Sequence, residues 1–196
     1  MKKLIVIPLL VLSVGVFAQK FQFGVKAGAN LSNFTGLNWD NVDTKAMVGF
    51  HGGAFLNLLF GDNFMLSPEV LFSTQGAKLE SAGEKRDYKL SYLAVPVLLR
   101  YRFNGGFYVE AGPQVSFKLD EKVGDQNVGN FAKDLDLAID AGIGWHSNSG
   151  FGIGARYVAG ISKVGDFNEN ELASPNFRNG VAQLSLFYTL FNNNRD

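Results

Sequence analysis

His51 and His146 are the only histidines in the 196-residue chain, and there is no cysteine. A nucleophile triad or a zinc site would therefore have to be built around one of these two imidazoles. His146 shares a face of the chain with Asp134, Asp136 and Asp140, but these carboxylates run away from it along the sequence. His51 has no serine at a triad-like placement. The paired glycines Gly142-Gly144 and Gly152-Gly154 are not followed by the helix that a phosphate cradle requires. Acidic residues gather at Asp120, Glu121 and Asp125, and again at Asp166, Glu169 and Glu171, without the Asp-x-Asp-x-Asp-Gly order of a calcium loop. They read as solvated loop charge. The expectation is a protein that is not an enzyme and holds neither metal nor cofactor.

A different set of residues recurs at even spacing on the polar side of otherwise greasy segments. Lys26, Arg100, Arg102, Lys118 and Arg156 supply positive charge; Glu69, Glu110, Asp134, Asp136 and Asp140 supply negative charge. Buried charges persist only when paired. If this face is enclosed, the expected result is a salt-bridged, plugged interior. A gated ion or proton path and a ligand-linked role stand as alternatives.

The elements that must carry these charges are strands. Read at period two, Phe21 to Phe191 resolves into eight alternating segments. The gaps alternate between short (Gly61 to Asn63, Asn104 to Gly106, Ser147 to Gly150) and long (Ser32 to Asp43, Ala77 to Asp87, Asp120 to Lys133, Ser162 to Phe177). An eight-stranded antiparallel up-and-down transmembrane barrel has this layout, with tight periplasmic turns and longer outer loops. In the seventh segment Phe151, Ile153, Ala155, Tyr157, Ala159 and Ile161 share the greasy face, while Gly152, Gly154, Arg156, Val158 and Gly160 share the other. Flanking the short turns on the greasy face are Phe60, Phe64, Phe103, Phe107, Trp145 and Phe151, all aromatic, as a girdle at a membrane boundary would be. An even strand count puts both chain ends in the periplasm. Pro96 sits inside the fourth segment, where a closed barrel offers no free edge, so a local bulge is expected there.

Met1-Lys2-Lys3, the apolar run Leu4 to Phe17 and the small residue Ala18 make an export signal, with cleavage expected after Ala18. Residues 19–196 then form one barrel domain. The run is short of the roughly 20 residues a membrane helix needs. Losing Lys2 and Lys3 leaves 16 basic against 18 acidic residues, which gives no electrostatic case for nucleic acid. Hydrophobic content of 46% with mean hydropathy near zero suits a barrel, since only alternate residues meet lipid. Expected partners are outer-membrane lipid and the barrel-assembly machinery, with the long loops free for an extracellular partner and the protein a monomer. A soluble periplasmic barrel binding an apolar ligand, as lipocalins do, would reverse the two faces.

Five phrases carry a resemblance: GVKAGANLSNF (Gly24 to Phe34), LSPEVLFSTQGAKLE (Leu66 to Glu80), LSYLAVPVLLRYRF (Leu90 to Phe103), GFYVEAGPQVSF (Gly106 to Phe117) and GFGIGARYVAGIS (Gly150 to Ser162). Together they resemble the outer-membrane β-barrel family typical of Bacteroidetes, often labelled PorT-family. The resemblance implies the barrel fold across the mature chain, and for some relatives a part in an outer-membrane protein secretion apparatus. Ala94 departs from the acidic residue common at that position of the family, and Asn192 to Asp196 follow the terminal aromatic Phe191.

Overall fold

A computed structural model of the chain describes residues 20–35, 43–81, 84–123, 126–127, 134–162 and 178–193. The expected export segment and much of the loops at 32–43, 120–133 and 162–177 lie outside these residues. So do Asp125, Asp166, Glu169 and Glu171. The described residues form β1 (Phe21–Thr35), β2 (Asp43–Phe60), β3 (Phe64–Ser81), β4 (Glu84–Arg102), β5 (Phe107–Val123), a two-residue β6 (Gln126–Asn127), β7 (Leu135–His146), β8 (Phe151–Gly160) and β9 (Arg178–Asn192).

Each long strand pairs antiparallel with two neighbours. β1 joins β2 on one side and β9 on the other, while β4 pairs with β5, so the eight long strands close on themselves. β6 is a short ribbon on the end of β5. Closure satisfies the backbone donors and acceptors that an open edge would leave bare in lipid. Gly61, Gly105, Gly106 and Gly150, at the three short turns, hold positive φ that other residues rarely adopt. The first and last described residues meet at this same end, where Asn193 N donates to Phe21 O at 3.0 Å.

Alternation fixes which face is inside. In β7, Ile139 and Ile143 are 47% and 52% exposed, while Ala138 and Asp140, on either side of Ile139, are 2% and 0% exposed. The greasy face points outward on all eight long strands. A lipocalin-like arrangement needs the reverse, and this burial pattern excludes it.

Three expectations about the elements change. The β3–β4 hairpin stays paired from Ala77↔Tyr88 to Ser81↔Glu84, so the residues read as a long loop at Ala77 to Asp87 are mostly strand. Their polarity suggested a loop, but beyond the apolar layer both faces of a strand can be polar. For the same reason Asp120 to Val123 continue β5. Pro96 causes no bulge: the register Pro96↔Gln114 and Leu99↔Ala111 is unshifted, and the shift in this ladder lies at Ser91/Tyr92. Pairing simply lapses for two residues beside the proline, so the missing N–H displaces nothing.

Candidate functional site

At mid-height the interior holds one compact ionic cluster. Lys26 on β1 donates to Glu69 Oε1 on β3 at 2.6 Å. Arg156 on β8 reaches Glu69 with two parallel bonds of 3.0 Å, and donates to Glu110 Oε1 on β5 from Nε at 2.9 Å and Nη2 at 2.7 Å. Arg100 on β4 donates to Glu110 Oε2 from Nε at 3.1 Å and Nη2 at 2.7 Å, and lies 3.9 Å from Glu69. Asp140 on β7 completes the set as an ion pair 3.6 Å from Arg156, with neither of its oxygens hydrogen-bonded. Three cations face three carboxylates, drawn from six different strands. Forked guanidinium–carboxylate bonds are the strongest such contacts and the most demanding in geometry.

Aromatic rings close the space toward the short turns. Phe55, Tyr108 and Phe187 form a buried cluster, with Arg100 stacked 4.2 Å over the Tyr108 ring. Glycines on the facing strands make room for these rings: a Cβ on Gly152 would lie 2.1 Å from Phe187, and one on Gly144 2.5 Å from Tyr108.

The other charged residues assigned to the interior by sequence lie elsewhere. Arg102 sits at the short-turn mouth, where Nη2 donates to His146 O at 2.8 Å and Asn148 Oδ1 at 3.1 Å. Lys118 is near the opposite end, paired with Glu121 at 3.0 Å. Glu121, expected in a loop, is buried and also accepts the Tyr88 hydroxyl. Asp136 accepts from Ser162 and, at 2.9 Å, from Asn179. Asp134 is not an interior residue: its side chain is 90% exposed, reached among the described residues by Lys118 at 3.4 Å. It precedes β7, so the alternation that turns Asp136 and Asp140 inward does not govern it.

One constellation was missed from sequence. His51 Nε2 lies 2.8 Å from Ser185 Oγ, and His51 Nδ1 lies 2.7 Å from Asn30 Oδ1. The Asn30 amide nitrogen already donates to Phe50 O, Ser73 Oγ and Thr74 O, so its oxygen must accept and His51 carries its proton on Nδ1. Serine, histidine and asparagine thus stand in the order and tautomer of a hydrolytic triad. Access decides against that chemistry. Ser185, His51 and Asn30 are all buried within the closed wall, and a Cβ on Gly28 would lie 2.7 Å from the imidazole. The described side chains around Ser185 close it off from solvent. Among the described residues no group of His, Asp or Glu could hold a metal ion.

The outer rim of the short-turn end is aromatic. Phe60, Phe64, Phe103, Phe107, Trp145 and Phe151 are each between 42% and 49% exposed, and Trp145 Nε1 donates to Gly105 O at 2.8 Å. The sequence model described as "Outer membrane protein beta-barrel domain" matches residues 17–166. The chain belongs to that family. No curated protein matches it at a significant level. Among solved structures, Neisserial surface protein A superposes with a TM-score of 0.59 at 16% identity, covering 86% of this chain and 97% of its own. Ail, the attachment invasion locus protein of Yersinia pestis, solved with the heparin analogue sucrose octasulfate, gives 0.52 at 18% identity, covering 88% and 99%. At these identities the likeness is one of fold. This member of the outer-membrane barrel family is thus a small integral outer-membrane protein of eight long strands, with the ionic cluster at mid-height inside it.

Proposed function

We propose that this barrel is a sealed, non-enzymatic, monomeric scaffold. Its short turns and both chain ends face the periplasm, and its work is done by the long connections at the outer surface. The observation that carries this reading is the ionic cluster of Lys26, Arg100 and Arg156 with Glu69, Glu110 and Asp140. It is charge-balanced, tied across six strands and buried: Glu69, Arg100 and Asp140 are at most 1% exposed and Lys26, Glu110 and Arg156 6%. Above it Asn30, Ser73 and Tyr92 are equally closed to solvent, and below it Asn57 and Ser67 are as well. An eight-stranded barrel is just wide enough for side chains to fill, and here they fill it at several levels.

The aromatic rim supports a lipid boundary at the short-turn end, with barrel-assembly machinery as the partner that inserts the protein and residues 1–18 as the signal that brings it there. A role in envelope structure or in contact with an extracellular partner follows from what is left accessible, because function on a closed scaffold resides in its loops. The five phrases quoted above support a finer membership, in the Bacteroidetes PorT-family. Planar-bilayer recording of the purified protein tests the reading: no stepwise conductance is expected at neutral pH. Reproducible unit openings would overturn the sealed scaffold and restore the gated path.

A further inference from the structure

The charge balance that holds at mid-height fails at the short-turn mouth. Arg102 is partly buried there, and no carboxylate of a described residue lies within ion-pairing distance of it. Its two bonds go to neutral oxygens and use one nitrogen, Nη2. Arg102 opens onto a cleft of about 640 Å³ between the Ser147 to Gly150 turn and the end of β9. Gln22, His146, Asn148, Thr189 and Asn192 line it, and among the described residues no acidic one does. Asp62 lines a neighbouring recess of about 330 Å³ on the far side of Arg102 without pairing to it. Arg102 is only half removed from water and, among the described residues, has no counter-charge, so its charge is available to an anion entering the cleft. An arginine placed at the back of a cleft lined by neutral hydrogen-bonding groups is complementary to an anion that supplies the missing charge.

We infer that this mouth cleft is a binding site for an oxyanion group, a carboxylate or a phosphate, with Arg102 as the charged anchor and Asn148, Thr189 and Gln22 as neutral hydrogen-bond partners. The cleft also touches Tyr188, Leu190 and Phe191, which face outward and are about half exposed. The anion can therefore come from a soluble periplasmic carboxylate or from a phospholipid headgroup of the adjoining leaflet. That choice of sources rests on the short turns facing the periplasm; the existence of the site does not.

The test is side-chain NMR of the arginine Nε–H groups, with the full-length mature protein in a phosphate-free maltoside micelle. Three probes are titrated: a tripeptide with a free C-terminal carboxylate, the same peptide amidated, and a short-chain phosphatidyl lipid. A saturable shift of the Arg102 resonance is expected with the free acid or the lipid and not with the amide, and whichever anion acts identifies the source. Arg102→Gln, in which the backbone amide of Gly150 in the cleft lining replaces the lost arginine signal as reporter, should weaken binding by at least about tenfold, the equivalent of one charge-assisted hydrogen bond. Asn148→Ala, further from the barrel wall, should weaken it by a smaller factor, and gel migration of unboiled against boiled samples, in which a folded barrel gives a heat-shifted band, shows that each variant is folded. No saturable shift with any probe, or equal binding by folded Arg102→Gln, overturns the site. Because the protein is in micelles, that failure leaves the orientation of the barrel untouched.

Discussion

Replacing Glu69 with glutamine is the sharpest perturbation of the interior. Glu69 accepts from Lys26 at 2.6 Å and twice from Arg156 at 3.0 Å, with Arg100 at 3.9 Å. Glutamine keeps the shape but removes the charge, leaving three cations against Glu110 and Asp140. It also turns an amide N–H₂ toward groups that only donate. Breaking a buried pair by deleting one partner costs about 3–5 kcal/mol, and because Glu69 meets three cations at once the upper part of that range is expected. Set against a total stability of about 5–15 kcal/mol, this is a third or more of what holds the barrel folded. The assay is urea unfolding in micelles, followed by the heat-shifted gel band, with the midpoint converted through a slope shared with the parent protein. Lys26→Met combined with Glu69→Gln restores balance at two cations and two carboxylates. The double variant should be more stable than Glu69→Gln alone by at least about 1 kcal/mol, and with Lys26→Met as the other single variant the cycle should give a coupling well outside the roughly 0.5 kcal/mol expected of independent sites. A single variant within about 1 kcal/mol of the parent, or additive energies in the cycle, would refute the claim that a charge-balanced network closes this barrel.

Two further outcomes concern the wall. Ile139→Arg, on the outward face at mid-strand, should destabilise the barrel in lipid vesicles by about 2–4 kcal/mol, measured by the same urea titration; a neutral result would mean that this face does not meet lipid. A Cβ on Gly53 would lie 2.0 Å from Val70 O, whereas one on Gly52 would lie no closer than 3.7 Å to any neighbour. Gly53→Ala should therefore fail to give the folded, heat-shifted band and Gly52→Ala should give it fully, and equal yields from the two would show that the backbone there yields easily.

The face of each strand was legible in the sequence, because burial alternates at period two and the aromatic pairs beside the short turns mark one end. Height within the barrel was not legible. Asp136 and Asp140 share a face of β7, and only Asp140 reaches Arg156, since four residues along a strand are about 13 Å. Lys118 and Glu110 share a face of β5 in the same way and belong to different clusters. Where the apolar residues run out, a strand leaving the membrane and a loop have the same polar composition, which is why the sequence does not separate the buried Glu121 from loop charge or the exposed Asp134 from an interior one.

Contacts across the lumen are set by stagger around the whole ring, and no local pattern encodes them. His51 and Ser185 are 134 positions apart and meet because β1 lies between their strands, bringing Asn30 to the same level. That meeting has the form of catalytic machinery and lacks its accessibility. The same closure that leaves no room at Ser185 leaves Arg102 beside an open cleft at the mouth. In a barrel this narrow, interior polar groups can be satisfied by one another at mid-height, where neighbours surround them on every side. At the ends that enclosure is incomplete, so an unpaired charge there retains the capacity to bind something from outside.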